Sequence, residues 1–241
     1  MSFNLYLASI WRAWKTGWYR LQIRVIHREK LNKTSTDAHP CAGRHRASWI
    51  LFLLVLLAVL ATDLVSKTLA FELVAPSPVR LTDSVRLGAS PIPPHEAIPL
   101  IPSILSLKLT LNTGAIFGLG KGRQWFFIAV SMVAVLVLIR VFWVSRAQAR
   151  VIHVALAMIL AGAIGNLYDR VRFNAVRDLL WLFPEVKLPF GWRWSGGSTG
   201  DQLYPWIFNV ADAGLVVGVV LMLVVMWSAG PREPVAGRDP D

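Results

Sequence analysis

Four long apolar segments constrain this chain more than any other feature of its sequence. They are residues 47–64, 125–144, 151–167 and 206–227, each near the ~20 residues that a membrane-spanning helix needs. Tryptophans stand near their ends, as aromatic residues do at membrane interfaces. A buried helix of a soluble core is the alternative for any single segment, but charged residues make up only 16% of the chain. We therefore predict a mainly α-helical, polytopic membrane protein with four transmembrane helices.

Basic residues lie mostly on one side of this predicted topology. Nine of them precede the first segment, and the short connection between the second and third segments carries Arg146 and Arg150. The positive-inside rule places both regions in the cytoplasm, and four spans return the C-terminus to the same side. The longer connections, residues 72–124 and 168–205, then face outward. Anionic membrane lipid is a better partner than nucleic acid for the net charge of +11.

This topology divides the chain into three parts. Residues 1–46 are a basic extension, in which apolar residues at alternating spacings of four and three predict an amphipathic helix on the inner leaflet. A poorly ordered basic tail is the alternative. Residues 47–229 form the four-span domain, and residues 230–241 are a cytoplasmic tail.

The outer connections differ from each other in composition. Prolines throughout residues 75–102 exclude one regular helix, and residues 105–111 have strand character. We expect a small extracytoplasmic β-containing cradle resting on the membrane. The second connection contains GWRWSGGSTGDQ, whose glycines and serines predict a flexible loop.

The sequence lacks the patterns typical of disulfides, metal sites, serine nucleophiles and nucleotide-binding sites. The single cysteine, Cys41, rules out an internal disulfide, and the five histidines show no metal-ligand spacing. No Ser/His/Asp grouping, P-loop or dinucleotide fingerprint occurs. We predict neither a metal nor a cofactor.

Two aspartates stand where apolar segments meet water: Asp178 in NAVRDLL and Asp212 in FNVADAGL. Asp212 lies six residues inside the fourth predicted span, and a carboxylate costs about 2.5 to 3.5 kcal/mol at the centre of such a helix. An interhelical hydrogen bond is the alternative role. Two carboxylates that share a site can split their pKa values and divide acid and base roles. We therefore pair Asp212 with Asp178 as the candidate site.

Further polar residues lie near the predicted outer ends of the membrane spans. Asp63 and Lys67 in TDLVSK are spaced i, i+4, which predicts a helix-end ion pair that positions the site. In LTLNTGAIFGLG, Asn112 offers an amide, and Gly114 permits close approach of backbone to a ligand, although Asn-x-Gly is also a common turn.

The segment GAIGNLYDRVRFNAVRDLL adds small and polar residues at the third span. Gly162 and Gly165 allow close helix contact. Beyond them stand Asn166, Asp169 and Arg170, of which the last two are interpreted as structural. Asn209 is spaced i, i+3 from Asp212, so both point into one cleft.

The ordered motifs DLVSK, NTGAIFG, GNLYDR with VRD, and FNVAD resemble those of the lipoprotein signal peptidase (signal peptidase II) family over residues 48–227. The resemblance implies an aspartic endopeptidase of the bacterial inner membrane, with its active site near the outer leaflet and no metal or cofactor. Such an enzyme cleaves the signal peptide of diacylglyceryl-modified prolipoproteins before the lipidated cysteine. Its partners are those substrates and membrane lipids, without nucleic acid or an obligate protein partner.

The resemblance also assigns residues. The catalytic pair falls on Asp178 and Asp212. Substrate binding or support of the site falls on Asp63, Lys67, Asn112, Gly114, Gly165, Asn166, Asp169, Arg170 and Asn209.

The chain departs from the family pattern at three places. Asn174 replaces a usual glycine, and asparagine tolerates left-handed conformations. Arg177 replaces a small apolar residue, and it either turns into water or holds Asp178 ionised. Residues 191–204 are an insertion, which we predict to be an outer-rim loop.

Two other functions use the same residues. A transporter or channel would need intramembrane carboxylates as a proton or cation path, with charges near the midplane of several spans. Here the charges cluster at the outer ends, which disfavours that function. A catalytically inactive binding protein of the same fold would not need the aspartate pair.

Overall fold

Four long helices form most of the structure, a computed structural model that describes residues 40–81, 90–114, 124–194 and 200–228. Their bounds are α1 Arg46–Leu73, α2 Gln124–Val144, α3 Arg150–Phe173 and α4 Val210–Ser228. All four are long and apolar enough to cross a membrane, with mean hydropathies from 1.9 to 2.6. The four predicted spans are therefore confirmed. The predicted amphipathic helix lies outside the described residues, as do residues 1–39 of the extension and the C-terminal tail.

Helices α1 and α3 continue beyond the apolar segments that predicted them. They end at Leu73 and Phe173. The added turns hold Lys67 and Asp169, which are tolerated there because both are buried in ion pairs rather than exposed to lipid. Asn174 ends α3 in a left-handed conformation, with φ 59° and ψ 16°, and its N–H donates to the carbonyl of Arg170 at 3.0 Å. Asparagine thus takes the role that glycine usually has after a helix, as predicted.

Helices α3 and α4 approach each other through small residues. Gly162 lies against the backbone carbonyl of Ala211, and a Cβ atom at Gly218 would lie 2.7 Å from the carbonyl oxygen of Ala155. Close backbone approach of this kind stabilises helix pairs in membranes, where lipid tails are as apolar as the side chains. The close contact predicted for Gly162 is confirmed.

Aromatic side chains close the end of the bundle at which α1 begins. Phe52 stacks on Phe142 with 4.1 Å between ring centroids, and Trp49 meets Phe142 edge-on at 4.7 Å. The segment before α1 docks at this end, where the N–H of Ala42 donates to the carbonyl of Ser145 at 2.8 Å.

A four-stranded antiparallel sheet lies at the opposite end of α1. Its strands follow chain order: β1 Ile98–Ile101, β2 Leu105–Asn112, β3 Val176–Leu182 and β4 Ile207–Phe208. The strand predicted at residues 105–111 is confirmed as β2. Phe71 near the end of α1 packs with Leu109 of β2 and Leu179 of β3 in one buried cluster. This cluster holds β3 over the ends of the helices.

Helix α4 begins four residues later than the sequence predicted. Ile207 and Phe208 pair with Trp181 and Leu180 as β4, so the helix starts at Val210. The prediction was wrong because strand and helix share one apolar run, and hydropathy does not separate them. Asp212 is therefore the third residue of α4, in its first turn, instead of lying six residues inside a span.

The connection between β3 and β4 has two paired arms in its described part. The glycine- and serine-rich centre of the predicted flexible loop, residues 195–199, lies outside the described residues. The N–H of Leu203 donates to the carbonyl of Val186 at 2.7 Å, and Lys187 pairs with Gln202 across the two arms. Backbone pairing of this kind requires no apolar alternation, so hydropathy did not indicate the two arms.

Candidate active site

The sheet and α4 bring Asp178 and Asp212 to one site. Asp178 lies in β3 opposite Thr110 and is 2% exposed, while Asp212 lies in the first turn of α4. Asn209, between β4 and α4, joins them. Its Nδ2 donates to Asp178 Oδ1 at 2.6 Å, and its Oδ1 accepts the N–H of Asp212 at 2.9 Å.

Asn209 also caps helix α4. While its Oδ1 accepts the Asp212 N–H, its own N–H donates back to Asp212 Oδ2 at 3.3 Å. This reciprocal pattern satisfies backbone donors at a helix start that have no partner within the helix. The positive end of the helix dipole also favours a negative charge on Asp212. The i, i+3 spacing therefore serves the helix and the site together.

Asn166 of α3 links the aspartate pair to a second group of charges. Its Nδ2 donates to Asp212 Oδ1 at 2.8 Å. Its Oδ1 accepts from Asn209 Nδ2 at 3.1 Å and from Lys67 Nζ at 3.2 Å. One amide thus restricts the rotation of Asp212 and contacts the neighbouring lysine.

The electrostatic environment differs between the two aspartates. Burial and, second, the charge of Asp212 raise the pKa of Asp178 to about 7. Hydrogen bonds from Asn209 and Asn112 and the charge of Lys67 oppose that rise. Asp178 therefore holds its proton to a much higher pH than an ordinary aspartate does, while Asp212 lies at the positive end of the α4 dipole.

Tyr204 is a residue of this site that no sequence motif indicated. Burial and, next, the charges of Asp212 and Asp178 raise the pKa of its phenol. Its carbonyl accepts Trp181 Nε1–H at 3.1 Å, which ties the residue to β3. Because Tyr204 closes the inserted segment, only the fold could bring it to the aspartates.

Four charged side chains form a buried ion cluster beside the pair: Asp63, Lys67, Asp169 and Arg177. Lys67 Nζ lies 2.8 Å from Asp63 Oδ2 and 3.2 Å from Asp169 Oδ2. Arg177 Nη2 lies 2.8 Å from Asp169 Oδ1, and the Arg177 N–H donates to Asp169 Oδ2 at 3.0 Å. Two acids balance two bases, as buried charges require. The predicted Asp63–Lys67 pair is thus present, but within a larger network.

The Arg177 side chain takes neither of the two positions predicted for it. It neither turns into water nor bonds Asp178, because its guanidinium pairs with Asp169 and lies 4.6 Å from the centre of the Phe173 ring. Successive residues of a strand face opposite sides. That alternation was the available signal that Arg177 faces away from a site that Asp178 enters.

Gly165 makes room for the ion cluster. A Cβ atom there would lie 2.5 Å from Asp63 Oδ2. The other oxygen of Asp63 accepts the N–H of Ala211 in α4 at 2.8 Å. Asp63 therefore joins three helices, and only glycine at position 165 leaves space for its carboxylate.

The remaining predicted residues lie at the edge of the site. Asn112 ends β2, hydrogen-bonds Asp178 and accepts the N–H of Gly114 at 3.1 Å. Arg170 donates from Nη1 to the carbonyl of Asn166 at 3.3 Å, and its guanidinium lies 5.5 Å from the centre of the Phe127 ring. Among the described residues, Arg170 Nε has no hydrogen-bond partner. This buried donor is available to a bound molecule.

Metal-ligating side chains do not converge in the part of the chain that the structure describes. Among those residues, no group of three His, Cys, Asp or Glu side chains is placed to hold an ion. The cations next to the buried acids are Lys67 and Arg177.

Known proteins resemble this chain in both sequence and fold. The profile of a family described as signal peptidase (SPase) II matches residues 55–228. The chain is 31% identical over 176 residues to a lipoprotein signal peptidase of Listeria monocytogenes serotype 4b, covering 73% of this chain and 92% of that protein. It is 34% identical over 138 residues to a lipoprotein signal peptidase of Desulfitobacterium hafniense, covering 57% and 79% respectively.

Two solved structures, each described as a bacterial membrane enzyme solved by the in meso method, share the fold. One has a TM-score of 0.54 at 21% identity and covers 78% of this chain and 94% of that one. The other has a TM-score of 0.52 at 22% identity, with coverages of 74% and 94%. Identities this low concern the fold alone. Because the family profile spans well over half of the sequence, the chain belongs to the signal peptidase II family.

Proposed function

We propose that this chain is a membrane aspartic endopeptidase that removes the signal peptide of diacylglyceryl-modified prolipoproteins, with Asp178 and Asp212 as its catalytic pair. The observation that carries the proposal is the pairing of two unlike carboxyl groups. Asp178 is buried and its pKa is raised to about 7, whereas Asp212 lies at a helix start that favours its charge. The substrate class comes from relatives named lipoprotein signal peptidase.

The unlike carboxyl groups support a division of roles. Ionised Asp212 takes a proton from a water molecule as its oxygen attacks the carbonyl carbon of the scissile peptide bond. Protonated Asp178 donates to the carbonyl oxygen, which gives a tetrahedral diol. When the C–N bond breaks, the proton on Asp212 passes to the leaving nitrogen and the diol returns a proton to Asp178. The products are the carboxylate end of the signal peptide and the free amine of the lipidated cysteine.

Two residues at the edge of the site are candidates for binding the substrate backbone. Arg170 has a buried Nε–H without a partner among the described residues, and a peptide carbonyl is a suitable acceptor. Asn112 ends β2 beside Asp178, where its amide can contact an extended chain. Holding the substrate at both points would orient the scissile bond toward the pair.

The enzyme is expected in the bacterial inner membrane. Basic residues before α1 and between α2 and α3 favour the cytoplasm for that end of the bundle, as for both termini. The aspartate pair, at the opposite end, is then close to the outer leaflet. A diacylglyceryl group in that leaflet would hold the cleavage site at the depth of the pair, so the partners are the prolipoprotein and surrounding lipid.

Conservative substitution of each aspartate tests the assignment. Asp178→Asn and Asp212→Asn keep the side-chain shape but remove the capacity to exchange a proton. Each should abolish cleavage of a purified diacylated prolipoprotein while the variant inserts and accumulates normally. Glu72→Gln is the matched control, because it also converts a carboxylate to an amide, at an exposed position near the end of α1.

Release of the signal peptide from reconstituted enzyme is the measurement. Cleavage near the native rate by either asparagine variant would overturn the catalytic pair. No cleavage of diacylated substrate by the native chain would overturn the function itself.

A further inference from the structure

The hairpin between β3 and β4 contains a segment that projects from its paired arms. The N–H of Leu188 donates to the carbonyl of Asp201 at 2.7 Å, and that of Trp194 donates to the carbonyl of Gly200 at 2.6 Å. The acceptors are adjacent, but five residues separate the donors. Residues 189–193 therefore bulge from one arm of the hairpin, and we call them the aromatic bulge.

The aromatic bulge exposes two large rings. The Phe190 side chain is 91% exposed and that of Trp192 is 67% exposed, with 6.3 Å between their ring centroids. Phe190 and Gly191 have consecutive positive φ angles of 59° and 69°. A bulky residue is rarely found in that region, where its backbone is strained. Within the described chain, Phe190 gains almost no burial that would offset this strain.

The hairpin is firmly attached to the strand that carries Asp178. Trp194, directly after the bulge, packs on Trp206 with 4.8 Å between ring centroids, and Trp206 packs on Tyr204 at 5.4 Å. Trp181 of β3 binds the carbonyl of Tyr204 through its indole N–H at 3.1 Å. The bulge therefore lies at the end of the bundle where the aspartate pair also lies.

We propose that the aromatic bulge inserts into the lipid interface next to the aspartate pair and anchors the hairpin there. The four membrane helices require a bilayer surface at this end of the bundle, and aromatic rings favour the headgroup level of a membrane. The described hairpin carries two acids, Glu185 and Asp201, and two bases, Lys187 and Arg193. The described hairpin therefore has no net charge that would favour an anionic lipid, and we expect it to bind the interface of a neutral bilayer. The inference does not depend on the peptidase activity.

The single cysteine of the chain permits a direct measurement of depth. In a Cys41→Ala background, Phe190→Cys and Trp192→Cys would each carry a nitroxide in phosphatidylcholine vesicles. Collisions with oxygen, which enters lipid, are compared with collisions with a water-soluble nickel chelate. Lys187→Cys is the control on the hairpin arm, because its side chain is 72% exposed in an ion pair and favours water. Labels at 190 and 192 should show a ratio of oxygen to nickel collisions several times that of the control.

A second pair of variants tests anchoring itself. Phe190→Ser should at least double the nickel accessibility of a label at position 192, and Trp192→Ser that of a label at position 190, because one ring alone would no longer hold the bulge at the interface. The proposal is overturned if labels at 190 and 192 are as accessible to nickel as the control. It is equally overturned if they become protected only after a prolipoprotein is added, since the bulge would then contact substrate rather than lipid.

Discussion

Removal of one partner from the buried ion cluster should destabilise the protein much more than removal of an exposed ion pair. In Arg177→Gln, the Asp169 carboxylate loses the Nε and Nη2 contacts of 3.1 and 2.8 Å. It keeps Lys67 at 3.2 Å and the backbone N–H of residue 177 at 3.0 Å. In Asp169→Asn, the guanidinium of Arg177 stays buried without a carboxylate.

The size of the effect follows from that geometry. Breaking a buried ion pair from one side costs about 3 to 5 kcal/mol. Two contacts of Asp169 survive Arg177→Gln, so we expect the lower value, about 3 kcal/mol, which is more than a hundredfold in the unfolding equilibrium constant. Asp169→Asn should cost at least as much. The double variant restores charge balance, so its loss should be smaller than the sum of the two by about 2 kcal/mol.

Reversible unfolding in mixed detergent micelles gives the free energy of unfolding for each variant. The matched control is Lys187→Gln, which removes an ion pair of the same 2.8 Å length whose side chains are 72% and 40% exposed. It should leave the free energy of unfolding nearly unchanged, because exposed ion pairs contribute little to stability. Cleavage per folded molecule is measured in parallel and should stay within a few-fold for Asp169→Asn.

Two results would refute this reasoning. If both single variants unfold like the control, the cluster is not an ion-pair network in the folded protein. If Asp169→Asn is fully stable but inactive, Asp169 acts in the reaction rather than in the support of the fold.

Three other perturbations have defined outcomes. The pKa of Asp178 is about 7 against an ordinary 3.8, so its proton stabilises the folded state fully below about pH 4, and this contribution is lost as pH rises through 7. The melting temperature should therefore decline less over that pH range in Asp178→Asn than in the native chain, and an equal decline would contradict the shift. Gly165→Ala should lower stability by about 1 to 3 kcal/mol, because its Cβ would lie 2.5 Å from Asp63 Oδ2; detergent unfolding that leaves it unchanged would contradict the packing. Deletion of residues 2–40 should leave turnover per inserted molecule within a few-fold, because the proposed topology separates the aspartate pair from the cytoplasmic side by a hydrocarbon core ~30 Å thick. A severe loss in correctly oriented protein would show that the extension is coupled to the site.

Local properties of the sequence were sufficient to predict the four helices and one strand, and to identify the candidate site. Apolar length predicts a membrane helix because every backbone polar group must be satisfied within the segment. Spacing along a helix predicted the Asp63–Lys67 pair, since residues four apart share a face. The cost of a carboxylate near lipid singled out Asp212 for the same local reason.

The first residue of α4 could not be predicted from hydropathy or local spacing. Residues 207 and 208 are as apolar as the helix that follows, and they form β4 only because β3 offers unpaired backbone groups beside them. The first-turn position of Asp212, which favours its charge, is therefore a consequence of sheet pairing.

The partners of the buried charges were decided by the tertiary structure alone. Asp63 binds the N–H of Ala211, 148 residues away, and Arg177 faces Asp169 rather than Asp178. Tyr204 joins the site from a segment without a motif. Sequence by itself determined which residues carry charge and which segments enter the membrane, because both depend on side-chain type and local spacing. Only the packed fold decided which charge meets which, because a buried ion selects its partner by proximity in space and by the absence of competing water.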